Sequence, residues 1–339
     1  MNARLRLNRQ QILAHRRAVG GLDERVAKSP GSLRRAAWAG LQDSMPRAAL
    51  LSLHARIEGV GPSTWEDPAL AQLWGPRYST YVVPKPDFAL FSLGRLPEDA
   101  KGRARAEHTA ERLRLVLGGA HMTDREAARA LGIGNSIRYA ATTGTVAIRW
   151  EGARAPTIWI VAKADIDPVD ARRELARRHL HVFGPTTADG FARWAGISRR
   201  AAATAFASLE RELLPVRSPI GDELMLAADE PAMRAAGAAA PAAARLLPSG
   251  DAYFLLDGAE RGLLVPEPDR RSLLWTSRVW PGALLVRGEI RGTWRRAQHT
   301  VRIEPWTRIA GADRNAIEAE ASALPLPGLE RRIEVMWGR

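Results

Sequence analysis

The chain has 339 residues, 46% of them apolar and 26% charged, an ordinary globular balance; 50 Lys and Arg against 37 Asp and Glu leave a formal charge of +13. That excess implies a polyanionic partner, and the commonest is the phosphate backbone of double-stranded DNA. An acidic membrane surface would call for a basic amphipathic helix or a polybasic tail, and neither is present. The lack of cysteine excludes disulfides, thiolate zinc sites, iron–sulfur clusters and a thiol nucleophile, and it fits a reducing cytoplasm.

Met1 to Gln11 is basic and polar without an apolar run, so no signal peptide is expected. Leu7 to Val19 has apolar residues at near-helical spacing, and Leu33 to Ile57 predicts a second helical region broken at Pro46. From Met1 to Val60 eleven basic residues face four acidic ones, which makes Arg34, Arg35 and Arg47 candidates for a DNA-facing surface. Pro62, Pro68 and Pro76 predict a loop-rich passage. Tyr78 to Val83 predicts a strand and Phe88 to Leu93 a short helix.

Thr123-Asp124-Arg125-Glu126 is a capping box, so a helix should run from there to Leu131. Gly132-Ile133-Gly134 reads as a turn and Asn135 to Ala141 as a second short helix. Thr145 to Trp150 and Thr157 to Ala162 read as two strands of a hairpin. The same order recurs. Thr186 or Thr187 caps a helix, Gly196-Ile197-Ser198 turns, Arg199 to Glu212 forms the next helix, and Leu213 to Ala227 reads as a hairpin bending at Ser218 to Asp222. Helix, glycine turn, helix, hairpin is the order of a winged helix. Its second helix usually enters the major groove, so Arg138, Arg199 and Arg200 are candidate DNA contacts.

Ala235 to Ala244 predicts a linker. Beyond it, Tyr253 to Leu256, Leu263 to Val265, Ala283 to Arg287 and Val301 to Ile303 are short apolar runs separated by glycines, the pattern of a small antiparallel sheet. Nine Arg against three acidic residues between Arg261 and Arg302 make this part basic too, with Arg295 and Arg296 as further contacts. His179 and His181 have no carboxylate at ligand spacing, so no metal is expected. Trp150, Trp159 and Trp194 read as core. There is no glycine-rich phosphate loop and no GxSxG elbow, hence no nucleotide cofactor and no serine hydrolase.

Gly40-Leu41-Gln42-Asp43-Ser44-Met45-Pro46-Arg47-Ala48-Ala49-Leu50-Leu51-Ser52-Leu53 resembles the N-terminal motif of a tandem winged-helix family. That family includes bacterial DNA glycosylases acting on interstrand crosslinks and bulky alkylpurines. The similarity continues through Arg77 to Val83, Phe183-Gly184-Pro185 to Gly196, and Pro281-Gly282 to Arg295. The resemblance implies an α+β fold in which three tandem winged-helix modules surround a basic channel, followed by the small C-terminal antiparallel β region. Boundaries are expected at 1–118, 119–170, 171–234 and 248–339.

The glycosylase members carry Gln–apolar–Gln, or Gln–apolar–Asp, to hold the attacking water. This chain keeps Gln42 but has Asp43 in the middle and Ser44 last. In the family's Arg-x-Thr-x-His segment it has Arg77, Ser79 and Tyr81, so Tyr81 is a pocket candidate in place of His and Arg77 a ninth candidate DNA contact. An alkylated purine is already a cationic leaving group, so the enzyme's task is to orient water and stabilise an oxocarbenium-like sugar, for which an amide and a carboxylate suffice. Gln42, Asp43 and Ser44 are therefore the catalytic candidates. In the alternative reading Gln42 and Ser44 are polar turn residues and Asp43 caps the next helix. The functional expectation is a monomeric cytoplasmic glycosylase acting on nucleoid DNA without a cofactor. The competing class is a non-catalytic winged-helix DNA-binding protein, a regulator or a lesion-binding factor.

Overall fold

The computed structural model describes residues 4–45, 47–152, 154–237, 244–328 and 331–338. Strand β1 (Leu5–Arg6) leads into α1 (Arg9–Val19), whose start is fixed where the Asn8 side chain accepts from the Gln11 amide. Ser29 caps α2 (Pro30–Ala36), with Pro30 in its first turn, where a missing N–H costs nothing. Then come β2 (Leu41–Gln42), α3 (Ala48–His54), β3 (Leu70–Trp74), β4 (Thr80–Pro84) and α4 (Phe88–Leu93). The strands form a sheet in the order β2-β4-β3.

The expectation of one helical region over Leu33 to Ile57 is thus corrected. Gly40, at φ +74°, ends the helical stretch and turns Leu41 and Gln42 into a strand paired with β4. The predicted break at Pro46 lies outside the described residues. The loop-rich passage around Pro62 to Pro76 hides β3, whose apolar Leu70, Leu73 and Trp74 are buried.

Next are α5 (Ala100–Leu117), β5 (Met122–Thr123), α6 (Asp124–Leu131), β6 (Val146–Arg149) and β7 (Thr157–Ile160), with sheet order β5-β7-β6. The Thr123–Glu126 capping box forms reciprocally. Asn135 to Ala141 is a 3-10 turn within Gly134–Thr143 and not an α-helix. Trp194 is buried in the main core; Trp150 and Trp159 are only half-buried, and Trp159 stacks on His121.

The following stretch holds α7 (Pro168–Phe183), α8 (Ala188–Ala195), α9 (Arg199–Ala207), β8 (Leu213–Ser218), β9 (Gly221–Leu226) and α10 (Glu230–Ala235). Thr187 caps α8 and Ser198 caps α9, which ends at Ala207, before the predicted Glu212. The β8–β9 hairpin turns at Pro219–Ile220, and β1 joins it in parallel, Leu5 beside Val216 and Arg6 beside Arg217. His179 is buried against Phe183, Phe191 and Trp194, and burial pushes it down to about 3, as befits a neutral core histidine. Of the expected Ala/Pro linker, 238–243 lies outside the described residues.

The last part contains β10 (Arg245–Leu247), α11 (Glu260–Leu264), α12 (Pro268–Leu274), β11 (Gly282–Val286), β12 (Glu289–Ala297), β13 (Thr300–Pro305), α13 (Gly311–Ser322) and β14 (Glu334–Trp337). They form a five-stranded sheet, β10 to β14 in order. It is mixed, because β14 runs parallel to β13 after α13 carries the chain back. Tyr253 to Leu256 and Leu263 to Val265, expected as strands, are a short turn and part of α11.

One large core joins residues far apart in sequence: Leu13 and Leu22, Tyr81 and Phe91, Leu175, Phe191 and Phe206, Phe254, Ala283 and Ile290. Smaller clusters fill each sheet's other side, for example Leu33, Leu41, Leu53 and Val82 behind β2 and β4. Among the described residues no helix is long and apolar enough to cross a membrane.

Candidate active site and nucleic-acid interface

In a strand successive side chains point to opposite faces, and directly opposed residues of an antiparallel pair share a face. Leu41 opposes Val82 and Gln42 opposes Tyr81, and the Asp43 amide continues the pairing to the Thr80 carbonyl. The motif is therefore divided. Leu41 and Asp43 point into the small core, while Gln42 and Ser44 point outward. Asp43 is only 1% exposed: Oδ1 accepts from the Ala49 amide at 3.0 Å and Oδ2 from Gln72 Nε2 at 3.1 Å. Asp43 thus satisfies a free amide in the first turn of α3, which Arg47 at the cap position, with φ 65°, does not serve. Burial pushes the Asp43 carboxyl up to about 7, against the pull of the Ala49 amide and the Arg47 charge.

Gln42 lies on the other face. Its Nε2 donates to Ser44 Oγ, and its Oε1 accepts from Arg77 Nη2 at 3.4 Å. Behind it, Tyr81 is fully buried and, among the described residues, its hydroxyl has no hydrogen-bond partner; burial pushes the phenol up while Arg77 pulls it down. Gly250, at φ +78°, closes a third side: a Cβ there would lie 3.3 Å from Gln42 Cδ. The turn carrying Gly250 is anchored by a buried ion pair. Asp251 accepts from Arg56 at 2.7 and 2.8 Å and from the Ser52 hydroxyl at 2.6 Å. Burial alone would raise the Asp251 carboxyl; Arg56 and these hydrogen bonds hold it below the usual range.

Arg77 links Gln42 to two distant segments. It adopts φ 55°, and Gly196, the turn glycine after α8, leaves room for it: a Cβ on Gly196 would meet the Arg77 nitrogen at 2.9 Å. Buried Arg95 locks that junction by donating to the Trp74 and Ala195 carbonyls at 2.8 and 3.0 Å. Arg77 Nη1 then stands 3.7 Å from Asp257 Oδ2. Asp257 is also paired with Arg261 at 3.0 Å, and the Arg261 guanidinium lies over the rings of Trp275 and Trp280 at 5.1 and 5.4 Å.

The nine arginines singled out from the sequence separate into two groups. Arg47 stacks 3.6 Å over Trp65 and donates to the Trp150 carbonyl, Arg77 is engaged as described, and Arg138 is half-buried, donating to the Tyr78 carbonyl. Arg34, Arg35, Arg199, Arg200, Arg295 and Arg296 are exposed. The Arg199 side chain is 83% exposed and 3.8 Å from Asp189, and Arg34 is 3.6 Å from Asp87. Arg199 and Arg200 begin α9 just beyond the Gly196 turn that touches Arg77. Arg295 donates to the Val279 carbonyl, next to Trp280. Arg199 and Arg200 thus follow the turn that abuts Arg77, and Arg295 is bonded beside Trp280, whereas Arg34 and Arg35 lie beside Asp87 and Trp38.

A model of the AlkZ-like DNA glycosylase family matches residues 35–325. The chain belongs to that family. Membership makes this AlkZ-like protein a DNA glycosylase, and the matched span contains every residue of the cluster just described. DNA glycosylase AlkZ of Streptomyces sahachiroi has a similar fold, with a TM-score of 0.78 over 98% of this chain and 100% of that one at 18% identity. No curated protein sequence matches the chain.

In this AlkZ-like glycosylase, Gly250, Asp257, Arg261 and Trp280 complete the surroundings of Gln42 and Arg77, and sequence reasoning assigned none of them to the site. Asp257-Gly258 is an ordinary turn pair, and nothing local ties it to a strand more than two hundred residues earlier.

Proposed function

We propose that this glycosylase hydrolyses the N-glycosidic bond of bulky alkylated or crosslinked purines in duplex DNA, with Gln42 holding the attacking water. The observation that carries the reading is the split of the motif: alternation turns Gln42 and Ser44 outward together, and Arg77 and Gly250 clamp the Gln42 amide. An amide held at both ends orients a water better than a mobile one, and orientation is what a reaction with a cationic leaving group needs most. Ser44 fixes the Gln42 rotamer, Asp43 positions the strand from behind, and Tyr81 forms the floor beneath the pair. Arg34, Arg35, Arg199, Arg200, Arg295 and Arg296 are exposed enough to reach phosphates, while Arg47, Arg77 and Arg138 act through their protein contacts.

The same reading takes the first three sheets, with their helices, as winged-helix units spanning 1–118, 119–170 and 171–234 around a basic channel, with 248–339 closing it. The order α6, left-handed Gly132, 3-10 turn, β6–β7 and the order α8, left-handed Gly196, α9, β8–β9 support it. The protein would work as a monomer on nucleoid DNA.

The test is single-turnover excision from duplexes carrying one N7-methylguanine or one N7–N7 guanine crosslink. Gln42→Ala should lower the rate by roughly 100-fold or more, with duplex affinity unchanged. Wild-type excision at background on both substrates would leave only the non-catalytic binder.

A further inference from the structure

We propose that Asp257 supplies the carboxylate that the Gln42–Asp43–Ser44 motif lacks on its outward face. The assignment rests on the glycosylase reading above and names a further catalytic residue within it. The reaction builds positive charge on the sugar, and a fixed carboxylate stabilises that charge far better than a hydroxyl. The motif itself offers none: Ser44 is neutral, and Asp43 points inward to the Ala49 amide and Gln72. Asp251 is also spent, fully buried between Arg56, Ser52 and the Tyr253 amide.

Asp257 is the opposite case. Its side chain is 37% exposed, and a single guanidinium separates it from Gln42, since Arg77 reaches Gln42 Oε1 with one terminal nitrogen and Asp257 Oδ2 with the other. Its position is fixed from beneath. Arg261 pairs with it, donates to the Leu256 carbonyl at 2.9 Å and lies over Trp275, whose indole donates to the Phe254 carbonyl at 3.1 Å. A carboxylate on such a support loses little further freedom when substrate arrives.

The step balances with water as the only co-reactant. The water oxygen, held by Gln42, forms the bond to C1′ of the deoxyribose. The bond from C1′ to the purine N9 breaks, and its electron pair leaves with the base, cancelling the charge of the N7-alkylated ring. Asp257 faces the cationic sugar during this change and accepts the proton released by the water. Arg77 holds Gln42 and Asp257 in register.

The experiment compares wild type, Asp257→Asn, and Asp257→Asn combined with Ser44→Asp in single-turnover excision from a duplex carrying one N7-methylguanine. Duplex affinity and thermal melting are measured in parallel. Asp257→Asn should keep the fold and bind the duplex within about threefold of wild type, yet excise roughly 100-fold more slowly. Adding Ser44→Asp, which returns a carboxylate to the outward face, should recover at least about tenfold of that loss. A purely structural loss would not respond to a carboxylate placed on another segment. Asp257→Asn excising within about threefold of an active wild type overturns the assignment and leaves the glycosylase reading standing. Wild type at background on this duplex and on the crosslinked one overturns both.

Discussion

At the scale of single residues, Asp43 has an unusual position. It stands where the family keeps an apolar side chain, and alternation sends it into the core whatever its chemistry. The fold tolerates it by giving it the Ala49 amide and Gln72, and burial still raises its carboxyl from 3.8 to about 7. The folded protein therefore keeps this proton over a range in which the unfolded chain has lost it. The contribution to stability falls as pH rises from about 4 to 7 and is level above that, reaching a cost on the order of 4 kcal/mol. Asp43→Asn keeps an acceptor for the Ala49 amide and removes the titration. Its melting temperature relative to wild type should rise by roughly 5 °C between pH 5 and pH 8.5. A gap that stays constant across that range contradicts an inward, protonated Asp43. The inward carboxylate was open in the sequence as the capping alternative; Gln72 as its partner was not, because β3 was hidden in a proline-rich passage.

At the scale of elements, the capped helices were the legible ones. Thr123 with Glu126 and Thr187 before Ala188 act through local hydrogen bonds, so three or four residues suffice to read them. The short strand Leu41–Gln42 was illegible, because two residues of sheet have no period of their own and exist only through β4. The apolar runs at Tyr253 to Val265 misled for a related reason: burial on all sides erases the difference between strand and helix. Helix α9 yields a test. Arg199 and Arg200 are exposed at its start and are assigned to phosphates. Replacing both with Ala should weaken binding to unrelated duplexes equally and make the log–log salt slope shallower by about 2. Loss confined to one sequence, or an unchanged slope, would remove α9 from the DNA-facing surface.

At the scale of the whole molecule, charge and family announced a DNA enzyme, while the assembly of the site depends on contacts no local pattern encodes. Gln42 is bounded by Arg77 from the turn between β3 and β4 and by Gly250 from the last part of the chain, and Arg77 in turn meets Gly196 after α8 and Asp257. The Arg56–Asp251 pair is the strut among these, joining the segment after α3 to the turn at Gly250 with both groups out of water. Removing one partner leaves the other charge buried and alone. Arg56→Ala should cost roughly 3–5 kcal/mol in denaturant unfolding, and excision should fall with it because the Gly250 wall of the Gln42 pocket is released. Normal stability in that variant would mean Asp251 finds its proton or its water elsewhere.

The parallel pairing of β1 with β8 also fixes an order of events in the making of the protein. Leu5 meets Val216 only after about 210 further residues have been synthesised. Until then the first strand has no partner, and Ile12 of α1 lacks Val216, Met225 and Leu263, against which it packs. Contacts of such sequence separation form late and slowly. The groups at 250 and 257 emerge later still, after the segments that carry Arg199 and Arg200. A nascent or truncated chain would thus acquire the means to hold polyanions before the surroundings of Gln42 are complete. The surroundings proposed to break the bond are the part that waits for the rest.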